Sequence, residues 1–252
     1  MREPLSRERV LSAAVALADK EGIGALTMRR LAADLGVEAM SLYYHLPGKD
    51  GLLDGLVETV LAEITVAIDE TGATSRARRR TAAGRTGTAS RTAIADRNRR
   101  AGASSGDWRD QLRGWFLAAR AVMLRHPWAP ALIGTRRRVP DALYAYYERI
   151  LGALIEAGFS HRIAHRALHS FGSMPLGFVQ ELFSPTPAGT TEAEPSEEEI
   201  AAMAEVMPHL AAMVAAEMHD AADPMLGWCD SQVEFEFTLD LLLDGLERFR
   251  NT

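Results

Sequence analysis

The segment "TMRRLAADLGVEAMSLYYHLPGKDGLL", residues 27–53, constrains the fold more than any other part of the chain. Thr27 is a good cap for a helix over about 28–35, and Gly36 can stop that helix with a positive φ that other residues resist. A further helix is expected over about 38–45, after which Pro47-Gly48 turns the chain into another over about 48–68. Leu31, Leu35, Val37 and Leu42 supply one small core for the two short helices, and Ala32 is small where they cross. Ser6 caps a preceding helix over about 7–21, ended by Gly22. A helix-turn-helix follows, with Ala39, Met40, Ser41, Tyr43, Tyr44 and His45 facing outward on a helix that fits a major groove. Tyrosine hydroxyls reach phosphates there, and Lys49 with the first amides of the next helix can hold another. For two short helices alone, the competing reading is a plain hairpin with the tyrosines as packing.

Beyond residue 70 the pattern changes. Residues 71–106 are rich in Arg, Ala, Gly, Ser and Thr, with Ile94 the one large aliphatic side chain and no aromatic. Such a stretch buries too little apolar surface to offset its ordering entropy, which predicts a flexible basic linker. Helical spacing returns after Asp107, through Trp108, Leu112, Trp115, Phe116, Ala119 and Met123, and stops at His126-Pro127. A short helix is expected over Trp128 to Ile133. The next opens near Pro140, shows Leu143, Tyr147, Ile150 and Leu154 on one face, and stops at Gly158. Ser160 caps another. A capping box at Ser196 and Glu199 opens a helix to about 219 interrupted near Pro208, and a second box at Ser231 and Glu234 opens the last. Phe235, Leu239, Leu242, Leu246 and Phe249 give that last helix a bundle seam. The expected fold is all-α: a helix-turn-helix head over 1–50, a connecting helix over 51–70, the linker over 71–106, and a second helical domain over 107–252, to which the family resemblance given below assigns effector binding and dimerisation.

Charge limits where nucleic acid can bind. The net charge is −6, yet residues 74–100 hold nine Arg against one Asp, and residues 187–252 hold fifteen acids against two Arg. The acidic end is unsuited to DNA. The single cysteine, Cys229, fits a reducing cytosol. No apolar run reaches the roughly 18 residues of a membrane helix. The stretch "VLSAAVALA" after Arg2, Arg7 and Arg9 looks like a signal core, but Val10, Ala14 and Leu17 have helical spacing that runs on into the head. A cytoplasmic protein without membrane contact is therefore expected.

The string "LTMRRLAADLGVEAMSLYYHLPGKDGLLDGL" resembles the DNA-binding domain of the TetR family of transcriptional regulators, whose signature L-Y-x-H-F-x-x-K-x-x-L is followed by Leu42-Tyr43-Tyr44-His45-Leu46, Lys49 and Leu52. "IGTR" at 133–136, "GFS" at 158–160, "LG" at 176–177 and "LLDGLE" at 242–247 are similar to landmarks of its tetracycline-repressor subgroup. The resemblance implies that Arg29 reads a base, that Thr27, Tyr43 and Lys49 hold phosphates, and that Ala39, Met40, Ser41, Tyr44 and His45 line the groove. The subgroup has Gln-Pro-Thr where this chain has Ala39-Met40-Ser41, which removes a bidentate base reader and implies a different operator. It also implies a homodimer on a double-stranded palindromic operator, and a small-molecule effector.

Independently of family, "HSFGSMPLGFVQEL" has small residues, Gly172, Ser173 and Gly177, that allow close helix approach. Trp115, Phe116, Met123, Trp128, Tyr144, Tyr147, Phe171, Met174 and Phe178 are candidate walls of an apolar pocket. Thr135, Arg136, Gln180 or Glu181 would add polar contacts to a bulky, mostly apolar effector. The subgroup holds tetracycline through magnesium, with a His before "GTR" and a Glu after "LG". Glu181 matches the Glu, but Leu132 and Ile133 occupy the place of the His, so no such complex is expected. His161, His165 and His169 lie at i, i+4, i+8, but one helix supplies too few ligands, and no metal or other cofactor is expected. No nucleophile elbow, metal pair or phosphate loop points to an enzyme. Sequence-indifferent DNA binding through the basic linker, or activation in place of repression, are the alternatives to a ligand-released repressor.

Overall fold

The Ser6 side chain accepts a hydrogen bond from the Arg9 amide at 3.1 Å and opens α1, Arg7–Glu21, which buries Val10, Leu11, Ala14, Leu17 and Ala18 along one stripe. The structure is a computed structural model that describes residues 4–85, 107–136, 139–178, 197–217 and 231–250. Apart from one short 3-10 turn, its regular elements are all α-helices, with no strand among the described residues. Thr27 caps α2, Met28–Leu35, by accepting from the Arg30 amide at 3.1 Å. Gly36 ends it at φ 66° and ψ 39°, the left-handed conformation in which a Cβ is costly. The Gly36 and Val37 amides both reach back to the last turn of α2. A short α3, Ala39–Tyr43, follows. Leu26, Leu31, Ala32, Leu42 and Leu46 are the buried core of the head, whereas Leu35 and Val37, expected inside, are only half-buried.

The helix α4, Gly48–Arg85, is longer than expected. It buries Leu52, Leu56, Val57, Val60, Leu61, Ile64 and Ile68, then continues as helical backbone to Arg85. Residues 71–85, read from sequence as linker, are thus helical. Their Ala and Arg are strong helix formers, and extending an existing helix needs no new nucleus. Residues 86–106 lie outside the described residues. Where α4 crosses α1, a Cβ on Gly55 would sit 2.6 Å from Leu11, so the glycine permits a close approach.

Four helices pack around the middle of α4 or beside it: α5, Asp107–Arg125; α6, Ala129–Thr135; α7, Asp141–Glu156; and α8, His161–Gly177. α5 presses Leu112, Phe116, Ala119 and Val122 inward. Phe116 stacks on Phe171 of α8 at 4.9 Å, and Trp108 meets Phe159 edge-on at the same centroid distance.

By its contacts the chain divides into two compact units, residues 1–176 with 245–252, and residues 177–244. Within the second, α9, Glu197–Val206, and α10, Pro208–Glu217, pack together and are separated at Met207, as expected beside Pro208. α11, Ser231–Glu247, buries Phe235, Leu239 and Leu243. Of the other seam residues, Leu242 and Leu246 are half-buried and Phe249 is exposed in this single chain, which leaves that part of the stripe open to a partner helix.

Candidate DNA interface and effector cavity

The nine residues expected to meet DNA lie on α2, α3, the start of α4 and the turns between them. Tyr44 is 89% exposed and Met40 70%, so both side chains are open to a partner. Tyr43, Thr27, Arg29 and Lys49 are exposed as well, and Ala39, Ser41 and His45 are half-buried. Neighbouring Arg30 is committed to Glu21 at 2.9 Å and Asp34 at 3.2 Å. Among the described residues no ion pair engages Arg29 or Lys49, which leaves both cations available to a polyanion. The Thr27 oxygen already caps α2, but its hydroxyl hydrogen can still donate to a phosphate.

An apolar cavity lies in the same unit, between α4, α5, α6, α7 and α8. Leu61 and Ile64, Ala119 and Met123, Ile133, Leu143 with Tyr146 and Tyr147, and Phe171 with Gly172 line it. Its volume is about 40 Å³, or about 450 Å³ with the open space at its mouth. Burial pushes the Tyr146 phenol far above its ordinary value, and Tyr147 upward too, so both hydroxyls are neutral donors.

Of the expected pocket residues, the structure brings Met123, Tyr147 and Phe171 to this cavity. Trp115 is instead packed under the Arg149 guanidinium, 5.2 Å from its ring centre. Phe116 lies stacked on Phe171 with no exposed surface, and Met174 is buried in α8. Trp128 donates its indole N–H to Asp19 at 2.7 Å. Thr135 bonds the Leu132 carbonyl at the end of α6. Phe178 belongs to the other unit, edge-on to Phe235 at 5.3 Å. Glu181 and Gln180 lie outside the described residues. Tyr144 is exposed while Tyr146, not expected, lines the wall. Arg136, expected to face an effector, pairs with Asp54 at 2.8 Å and Asp50 at 3.3 Å on α4.

A further tie between the head and these helices is His126, at the end of α5. It is 5% exposed, with Nδ1 2.8 Å from Asp19 and Nε2 3.1 Å from Glu63. Burial alone would lower its pKa, but the bonds to the two carboxylates and their charges outweigh that and raise it above the ordinary 6.5. No local pattern announces this cluster beyond a histidine ending a helix. His161, His165 and His169 are exposed, the last two with rings 4.6 Å apart. Among the described residues no three His, Cys, Asp or Glu side chains gather as a metal site would need, and no helix is long and apolar enough to cross a membrane.

Comparisons with known proteins bear on both halves. Residues 10–56 match the family model "Bacterial regulatory proteins, tetR family", and residues 102–250 match "Tetracyclin repressor-like, C-terminal domain". The Tetracycline repressor protein class C of Escherichia coli is 30% identical over 251 residues, covering 98% of this chain and 93% of that protein. An HTH-type transcriptional regulator of Saccharopolyspora erythraea is 30% identical over 155 residues, 62% of this chain, and the chain spans about half of that relative's length, 51%. A crystal structure of a "possible TetR family transcriptional regulator" from Streptomyces coelicolor A3(2) superposes with a TM-score of 0.65 at 25% identity, over 97% of this chain and all of that one. With a helix-turn-helix head and a cavity-bearing helical body each matched in order along one chain, the protein belongs to the TetR family of transcriptional regulators, with a tetracycline-repressor-like C-terminal domain.

Proposed function

We propose that the protein is a dimeric repressor that reads a palindromic operator with α3 and releases it when a small, mostly apolar molecule enters the cavity. The observation that carries this is α4 itself. Its first turn holds Lys49 beside the exposed α3, and its middle supplies Leu61 and Ile64 to the cavity wall. Occupancy and DNA reading therefore bear on one rigid element. The effector acts by population shift and must bind one arrangement of α4 better than the other.

The Escherichia coli relative is named for tetracycline. Here Leu132 is buried and Ile133 lines the cavity, with no imidazole at that place. The wall favours an apolar ligand, with Tyr146 and Tyr147 as its polar handles. A cavity of about 40 Å³ is far below the roughly 300–1,000 Å³ of drug-sized sites, so a bulky effector must push its walls apart. Binding energy spent on that opening is what would reach the head.

The test is selection of randomised duplexes by the purified protein at physiological salt, with Arg29→Ala beside it. Enrichment of one palindrome, lost in the variant, supports the reading. Tight, salt-labile binding without enrichment would instead identify a sequence-indifferent DNA binder.

A further inference from the structure

His126 sits where four helices meet. Asp19 comes from α1 of the head, Glu63 from α4, and Arg125 from α5, while Trp128 stands at the start of α6. Arg125 pairs with the same Glu63 oxygen at 3.0 Å, and the Trp128 indole donates to the same Asp19 oxygen as His126 at 2.7 Å. Each ring nitrogen of His126 therefore faces a carboxylate. A carboxylate can only accept, and a neutral imidazole has one N–H to give. Only the imidazolium satisfies both partners at once. A neutral ring would leave one lone pair against a negative oxygen, on a histidine that is itself only 5% exposed.

The cluster also has a defined position along the chain. Glu63 adjoins Ile64, and Met123 lies one turn before His126, both of them cavity residues. Asp19 lies near the C-terminal end of α1, just before the head's DNA-reading helices. We propose that His126 is a proton-dependent clamp that ties α1 of the DNA-binding head to the cavity helices α4 and α5, so that operator affinity responds to its protonation. The regulatory meaning of the clamp rests on the repressor reading above; its existence does not.

The sign follows from linkage. A histidine whose pKa is raised on folding contributes stability that is complete below its ordinary value of 6.5 and is lost as pH rises through the folded value. The test uses the full chain and Asp19→Asn, which keeps an oxygen for Trp128 but removes the charge. Glu63→Gln is the second variant, and it serves if the first fails to fold. Melting is followed from about pH 6 to about pH 9, across the range in which histidine titrates. Wild type is expected to melt well above the variants at the acidic end, with the gap closing as pH rises. A gap independent of pH overturns the clamp.

The second arm measures affinity for the palindrome selected by wild type, over the same range. Dividing the wild-type affinity by the variant's cancels every pH effect the two share, so the ratio isolates the clamp. The ratio is expected to change severalfold with pH. A constant ratio, with melting that does respond, overturns the coupling and leaves a purely structural staple. Failure to select any palindrome refutes the operator reading, and the melting arm still decides the clamp.

Discussion

Replacing Gly172 with alanine tests where α8 turns its small residues. Sequence places Gly172 among residues that let paired helices approach. The structure places it on the cavity wall, and a Cβ built there meets nothing within 4 Å. Inside a helix, alanine is better than glycine by about 0.8–1 kcal/mol. The added methyl contacts nothing, so it contributes no packing term. The expected gain is therefore about 0.8–1 kcal/mol. For a protein of this size it raises the melting temperature by about 2–4 °C. Thermal denaturation at two protein concentrations, with sedimentation to follow association, measures it. If α8 pairs with its copy through Gly172, the methyl instead overpacks that seam at a cost of about 1–3 kcal/mol. A lowered melting temperature together with weakened association would refute the cavity placement.

Other perturbations probe the head. Arg29→Ala should cost about 1–3 kcal/mol of discrimination at one operator position, read by competition between the selected duplex and single-base variants. Lys49→Ala should weaken all duplexes alike and reduce the salt slope of binding by about one counterion, read by titration at several salt concentrations. An unchanged slope would remove Lys49 from the phosphate contacts. Gly36→Ala forces a Cβ into φ 66°, and should destabilise the chain by about 1–2 kcal/mol in denaturant titrations. Its m-value should stay the same, since the fold is strained and not expanded.

The head was legible in sequence because its signals are local. Thr27 caps, Gly36 reverses the chain, and Leu31 and Leu42 lie within one turn of the elements they join. The extent of α4 was not, because residues 71–85 carry no apolar stripe and helix propensity alone decides them. The cavity was half legible. The aromatic content of α5 and α7 announced apolar walls, but which ring faces inward depends on partners far along the chain. Trp115 goes to Arg149, Trp128 to Asp19, and the space they leave is closed by Leu61 and Ile64. The His126 cluster joins residues 107 positions apart, a pairing that no local pattern encodes.

The unbroken course of α4 has a mechanical consequence. Lys49 and Ile64 are about fifteen residues apart on one helix, or roughly 22 Å at about 1.5 Å per residue. With Ile64 as the fulcrum, a tilt of only about 5° swings the Lys49 end through about 2 Å. Hydrogen bonds to base edges and phosphates survive over a window of about half an ångström. In the proposed repressor, a ligand that tilted α4 about its middle would move the Lys49 end off its place on the operator.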